Sequence, residues 1–140
     1  MNKKKYISPF KPLHIIDLPD VKGVSHAIGS AAIKDSGSDV GIIIFDNLSN
    51  IAGVFTNSET SSAPVLWCKS IVNNGVAKAL IVNSGNANAF TGQMGTKNVI
   101  AKTAKLAKIL KCKANEVFVA STGVIGEQIP IEQILNLIPT

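Results

Sequence analysis

The chain has 140 residues, 46% of them hydrophobic and 16% charged, which fits one domain, or a piece of one, with a sizeable core. Its net charge of +5 comes from lysine alone, because the chain contains no arginine, and only 5% of its residues are aromatic. Nucleic-acid readers use arginine for bidentate contacts and aromatic rings for stacking, so the composition argues against a nucleic-acid partner.

Cysteine content and hydropathy exclude further classes of protein. The two cysteines, Cys68 and Cys112, lie in no CxxC pair and beside no histidine, which predicts no metal site and no disulfide framework and favours a reducing cytoplasm. The apolar runs are too short to span a bilayer, so we expect no membrane partner. His14 and His26 have no acid or nucleophile at a readable spacing, so neither is taken as a catalytic base.

The first half of the chain predicts a loose start followed by strands. Residues 1–21 are rich in lysine and proline and predict an N-terminal segment with a short extended piece at residues 13–16, whereas residues 22–140 form the domain. The small residues of 24–34 predict a first strand. Residues 40–56 predict an antiparallel hairpin, in which VGIIIF and IAGVFT are the strands and the five residues between them, DNLSN, are the connection.

A short helix is predicted over residues 63–72. The serines before it can cap its first turn, Pro64 suits that turn, and Gly75 is placed to end the helix. Cys68 lies within this helix and is interpreted as a small core residue, since nothing near it in sequence would lower its pKa.

The central stretch is ALIVNSGNANAFTG, residues 79–92. Its apolar start predicts a strand covered on both faces, and the small amide residues after it predict a loop that can bring backbone close to a ligand. A polar loop between a strand and a helix is where α/β proteins usually place a site, although a tight connection bonding its own backbone has the same composition. The candidate residues in this loop are Ser84, Gly85, Asn86 and Asn88.

The second half predicts a helix over residues 96–111, a strand over 116–120 and a helix over 131–137. In the first helix the apolar side chains fall on one stripe, and the lysines at 97, 102, 105 and 108 are assigned to the solvent-exposed side. The start of this helix superficially resembles a phosphate-binding loop, but its threonine precedes its lysine, so that interpretation is rejected. The strand runs into Ser-Thr-Gly-Val-Ile-Gly at residues 121–126, a second polar strand end.

Taken together, these motifs resemble the ornithine acetyltransferase family, the glutamate N-acetyltransferases of cyclic arginine biosynthesis. The order and spacing of the matching segments agree with the family over about residues 22–139. The segments within 82–92 and 121–127 are specific as a pair, and either of them alone would be a weaker signal. The segments that carry the resemblance are 52–57 (AGVFTN), 63–65 (APV) with Cys68, 82–89 (VNSGNANA) with Thr91 and Gly92, and 121–127 (STGVIGE).

The resemblance implies an α/β (α+β) fold, the layered α/β/β/α sandwich shared with a self-processing aminopeptidase family. It implies a precursor that cleaves itself into α and β chains, assembles as an α2β2 heterotetramer and binds no cofactor or metal. The threonine exposed at the start of the β chain takes acetyl from N-acetylornithine and passes it to glutamate, and some members also use acetyl-CoA. Carried over, the Thr122 hydroxyl and the Gly123 N–H form the oxyanion hole, and the loop at residues 84–88 lines the substrate site.

The family's cleavage motif, with its nucleophilic threonine, lies beyond Thr140, so the chain is expected to be part of an α chain and inactive by itself. The sandwich is then incomplete within residues 22–140. A different hypothesis is a non-catalytic binding or assembly module that has kept the scaffold without the nucleophile.

Overall fold

The computed structural model describes residues 9–10, 14 and 19–138. Two single turns of 3₁₀ helix, Val72–Asn74 and Ala114–Glu116, accompany the main elements. The strands are β1 (Val24–Gly29), β2 (Val40–Asn50), β3 (Val76–Asn86) and β4 (Val117–Val124), and the helices are α1 (Ala63–Ile71), α2 (Gly92–Leu110) and α3 (Ile131–Leu137). None of these helices is both long and apolar enough to cross a bilayer.

The four strands form one sheet in the order β1-β2-β3-β4. β2 pairs antiparallel with both of its neighbours, whereas β3 and β4 are parallel and are connected through α2. Because parallel strands end at the same edge of a sheet, the polar segments that follow β3 and β4 are brought together.

The sheet is packed against helices on one face. Along β3 the residues Ala77, Ala79, Ile81 and Asn83 are buried, and the residues between them are half-buried. α2 lies on the Asn83 face, because Lys102 of this helix contacts that side chain. The prediction that β3 is covered on both faces is therefore wrong for the described residues, which cover its second face only in part.

The predicted hairpin over residues 40–56 is also wrong. β2 continues to Asn50, with an irregularity between Ile44 and Ser49, and no strand follows it at residues 51–56. Residues 40–44 already pair with β1 on one edge and with β3 on the other, so no edge of this strand is left for residues 51–56. The N–H of Ile51 then bonds the carbonyl of Gly75.

The other elements agree with the sequence except at their ends. α1, α3 and β4 are confirmed, and Gly75 has φ of 72°, as its predicted role at the helix end requires. β1 ends at Gly29, earlier than predicted, because residues 30–38 form a loop around Asp39. The piece at residues 13–16 lies, apart from the exposed His14, outside the described residues.

The helix α2 differs from the prediction in its start and in the exposure of Lys102. It begins at Gly92 and not at residue 96, so the segment that superficially resembles a phosphate-binding loop is helical. Lys102 does not belong to the solvent-exposed side, since only 1% of its surface is accessible. At about 100° per residue, Lys102 lies about 60° from Val99 around the helix, whereas Lys97 and Lys108 lie about 160–180° away. Lys102 therefore borders the apolar stripe.

The chain purified as residues 1–140 is expected to bind apolar dyes or to self-associate. Large apolar side chains are widely exposed, including Val54 at 98%, Ile28 at 75% and Phe90 at 74%. The helices cover only one face of the sheet, and large exposed apolar areas usually mark an interface. Light scattering and dye fluorescence test this, with the double variant Ile28→Ser/Val54→Ser as the comparison; a dye-silent monomer would contradict it.

Candidate active site at the ends of β3 and β4

The two polar strand ends predicted from the sequence lie side by side. In the parallel register Asn83 pairs with Ser121, Ser84 with Thr122, and Gly85 with Gly123. Beyond the pairs, the N–H of Ala87 bonds the carbonyl of Val124, and the N–H of Gly126 bonds that of Ala89. The loops after the two strands are therefore tied to each other through their backbones.

Gly85 and Gly123 each lie too close to neighbouring atoms to carry a side chain. A Cβ added to Gly123 would lie 2.2 Å from the carbonyl carbon of Gly85, and Gly123 has φ of 131°. Gly85 has φ of 103°, and a Cβ there would lie 2.8 Å from Cγ of Lys34 and 2.9 Å from Cγ2 of Ile33. Only glycine fits both positions, and the exposed backbone of Gly123 is open to close approach by a ligand.

Thr122 carries the hydroxyl best placed for chemistry. Thr122 is exposed, and its hydroxyl has no hydrogen-bond partner among the described residues. Ser84, its partner in the register, is half-buried and is held through its N–H, which bonds the carbonyl of Asp39. An exposed hydroxyl beside the glycine backbone can donate to an oxygen atom of a ligand.

Asn86 and Asn88 are bonded inside the loop. The Asn86 amide donates to the carbonyl of Glu127 at 3.0 Å and accepts from the N–H of Asn88 at 2.7 Å. The Asn88 amide donates to the carbonyl of Gly95 at 3.0 Å and accepts from the Thr91 hydroxyl at 2.9 Å. With Asn88 fully buried, this geometry favours a scaffolding role for the two amides.

Gly95 connects this loop to the start of α2. A Cβ at Gly95 would lie 2.0 Å from Oγ1 of Thr91 and 2.8 Å from Oδ1 of Asn88. The first turn of the helix can therefore pack on the loop only because residue 95 has no side chain. This contact, which the sequence pattern did not indicate, accounts for the early start of α2.

Sequence reasoning missed Asp39, which shapes the loop beside Gly85. Its buried carboxylate accepts hydrogen bonds from the N–H groups of Ala31 at 2.7 Å, Ile33 at 2.8 Å and Lys34 at 3.1 Å. Burial by itself raises the pKa of Asp39, but these bonds and the Lys34 charge outweigh it, so the pKa is lowered. Asp39 thereby fixes residues 31–34 against Gly85.

Sequence reasoning also missed Lys102 as a buried polar group below the two strand ends. Its ammonium group lies 3.2 Å from Oδ1 of Asn83 and 3.5 Å from Oγ of Ser121. Ser121 in turn donates to Oδ1 of Asn83 at 2.6 Å, and the Asn83 amide donates to the carbonyl of Asn86 at 2.8 Å. Burial lowers the pKa of Lys102 to about 8.

Cys68 is a buried core residue, as predicted. Its thiol lies 3.2 Å from the carbonyl of Val119, and burial raises its pKa although the Lys102 charge acts in the opposite sense. A thiol with a raised pKa is a poor nucleophile at neutral pH. Within residues 9–10, 14 and 19–138, no three His, Cys, Asp or Glu side chains cluster as metal ligands do.

Comparison with known proteins decides the family. The model of the ArgJ family matches residues 25–140. The chain belongs to the ArgJ family. The relative from Bartonella quintana (strain Toulouse), "Arginine biosynthesis bifunctional protein ArgJ", is 47% identical over 135 residues, which cover 96% of this chain and 33% of the relative. The ArgJ protein of Bradyrhizobium diazoefficiens is 47% identical over 123 residues, covering 86% of this chain and 30% of the relative.

Two solved structures show the same fold. The ArgJ protein of Bacillus halodurans superposes with a TM-score of 0.79 at 34% identity, covering 84% of this chain and 62% of that chain. The ornithine acetyltransferase of Mycobacterium tuberculosis, solved in complex with ornithine, gives a TM-score of 0.78 at 35% identity, covering 82% and 63%. The family and the α/β fold class expected from the sequence are thereby confirmed.

The ArgJ match has a clear extent. This chain spans about a third of the length of the curated ArgJ relatives that it matches. The described residues supply one sheet and the helices on one of its faces, which make up part of the ornithine acetyltransferase fold.

Proposed function

We propose that this chain supplies the oxyanion-binding part of a glutamate N-acetyltransferase. The supporting observation is the end of β4, where the exposed Thr122 hydroxyl has no hydrogen-bond partner among the described residues and the exposed Gly123 backbone follows it directly, beside Ser84 and Gly85 of β3. The reaction transfers acetyl from N-acetylornithine to glutamate through an acyl-enzyme on the N-terminal threonine of a β chain. That threonine lies outside this chain.

The proposed role of the strand ends follows from the charge that develops in acyl transfer. When the threonine hydroxyl attacks the acetyl carbonyl, the carbonyl oxygen becomes an oxyanion and the threonine's own amine takes the proton. The Thr122 hydroxyl and the Gly123 N–H donate to this oxygen, and the donors are more effective because the strand ends hold them in place beforehand. Collapse of the tetrahedral species expels ornithine, whose amine takes that proton from the threonine ammonium group. The amine of glutamate then attacks the acyl-enzyme, which releases N-acetylglutamate and returns the proton to the threonine hydroxyl.

The proposal also covers the acetyl donor, the cellular compartment and the partner chain. Acetyl-CoA serves as a second acetyl donor, the protein works in the cytoplasm without a bound cofactor, and the chain assembles with a β chain as an α2β2 heterotetramer. The exposed apolar side chains Ile28 and Val54 support an assembly in which further protein covers this chain. Ser84 and Gly85 are the proposed lining of the substrate site.

Complementation tests this function. Residues 1–140 alone should transfer no acetyl from N-acetylornithine to glutamate, because they lack the nucleophile. Co-expressed with the remaining part of the Bartonella quintana relative, they should form a complex that does, with that part expressed alone as the control. Mass spectrometry of N-acetylglutamate made from labelled donor is the measurement.

Two outcomes would contradict the proposal. Transfer by purified 1–140 in the absence of any other polypeptide would mean that the nucleophile lies within this chain. An assembled, self-cleaved and folded complex that transfers nothing would instead favour the non-catalytic assembly module.

A further inference from the structure

Lys102 is a lysine in a position where a protein core normally has an apolar residue. Its side chain is 1% exposed and borders the apolar stripe of α2. Its ammonium group has hydrogen-bond partners in Asn83 and Ser121, which are both neutral. No carboxylate among the described residues forms an ion pair with it, so its charge is buried without a counter-ion.

Burial of the Lys102 charge is costly, and neither Asn83 nor Ser121 needs Lys102 to have a hydrogen-bond partner. A buried ammonium group loses its hydration, and here desolvation lowers the pKa of Lys102 to about 8. If Lys102 were removed, Ser121 and Asn83 would still bond each other at 2.6 Å. Methionine, with a side chain of similar length and no charge, would fill the space and leave no polar group unpaired. Stability does not account for a lysine here.

The place of the ammonium group suggests what it does. Asn83 and Ser121 are register partners on β3 and β4, and Thr122 directly follows Ser121. The Lys102 ammonium group thus bonds one side chain on each strand, at the level of the sheet directly before Thr122 of the proposed oxyanion hole. Asn83 extends the same network to the loop through the carbonyl of Asn86.

We propose that Lys102 is a positioning residue for the oxyanion hole. By bonding Asn83 and Ser121 from below, it ties both strand ends to α2, which the bond between Ser121 and Asn83 does not do, and so keeps the Thr122 hydroxyl and the Gly123 N–H aimed at the same oxygen. This inference rests on the proposed function, and Lys102 itself touches no substrate.

The test is Lys102→Met in the co-expressed complex with the remaining part of the Bartonella quintana relative, with Lys97→Met as its control on an exposed position of the same helix. A small misplacement of donors costs turnover, so kcat of Lys102→Met should fall about ten- to a hundredfold with KM changed by less than about twofold. Its midpoint of urea denaturation at pH 7 should be no lower than that of the wild type. Lys97→Met should leave kcat, KM and the midpoint unchanged.

A second variant shows whether Lys102 acts through Ser121. Ser121→Ala removes that contact from the other side, together with the bond between Ser121 and Asn83, so the double variant Lys102→Met/Ser121→Ala should lose less turnover than the product of the two single losses. Multiplying effects on kcat would overturn the inference, because they would mean that the two residues act independently.

The pH dependence of stability provides a readout of the buried charge. As the pH rises through about 8, the folded protein releases the Lys102 proton, whereas the unfolded chain holds it up to its ordinary pKa of 10.5. The denaturation midpoint of the wild type should therefore rise between pH 8 and 10 relative to that of Lys102→Met. Burial raises the pKa of the Cys68 thiol of α1, and the Lys102 charge acts on it in the opposite sense, so the comparison is made in a Cys68→Ala background that contains no thiol beside Lys102.

The outcomes separate the inference from the proposed function. An active wild type with an unchanged kcat in Lys102→Met would overturn the inference alone. The same holds if Lys102→Met loses stability and its folded fraction retains full kcat, since Lys102 would then be structural. An inactive wild type would overturn the proposed function and the inference with it.

Discussion

Replacing Thr122 by valine is expected to lower the turnover number of the assembled enzyme about a hundred- to a thousandfold, or roughly 3–4 kcal/mol, with little change in KM. Valine keeps the shape of threonine and removes only the hydroxyl donor. That hydroxyl stabilises a negative charge that the ground-state carbonyl lacks, so its loss affects the transition state more than substrate binding. Self-cleavage of the precursor should slow as well, because it passes through a similar tetrahedral species.

The competing interpretation is that Thr122 satisfies backbone groups at the end of β4. It predicts lowered stability with turnover preserved in the protein that remains folded. The absence of a partner for the hydroxyl among the described residues favours the catalytic role. Melting temperature and kcat of the cleaved variant separate the two, with Thr96→Val, an exposed threonine of α2, as the matched control. An unchanged kcat in Thr122→Val would show that Thr122 is not a catalytic residue.

Local signals were sufficient to predict most elements of the sheet and helix layer. α1 was predicted from serine, proline and glycine at its ends, and β4 was predicted from an apolar run that ends in hydroxyl and glycine residues. That Thr122 lies beside Ser84 was not readable from either segment, because it depends on the pairing of β3 with β4 across 38 residues. The expectation of one site there came from the family resemblance.

The errors arise where distant contacts override local patterns. Residues 51–56 have a good strand composition, yet β3 and β1 already occupy both edges of β2. Asp39 is one acidic residue after a turn in the sequence, and its role appears only when three N–H groups converge on it. The angle between residue 102 and Val99 around the helix indicates a buried position. Lysine usually prefers solvent, however, so the residue type favours the opposite interpretation.

Replacing Gly123 by alanine should be the most damaging single-methyl change at the site. The new Cβ would lie 2.2 Å from the carbonyl carbon of Gly85 and 2.5 Å from the backbone nitrogen of Asn86, so backbone, not a movable side chain, obstructs it. The positive φ adds about 1–2 kcal/mol of strain for an L-residue. Overpacking adds about 1–3 kcal/mol, or more where nothing can yield, so we expect a total loss of about 4 kcal/mol.

Gly126→Ala is the matched control, because Gly126 also has a positive φ, 86°, but nothing within 4 Å of an added Cβ. It should lose only the backbone contribution, about 1–2 kcal/mol. Urea denaturation of both variants measures the difference, which isolates the contact between Gly123 and Gly85. Equal stabilities would show that the strand ends separate at no cost. The predicted clash forces them apart, which displaces the Gly123 N–H, so any Gly123→Ala protein that still folds should transfer acetyl far more slowly than Gly126→Ala.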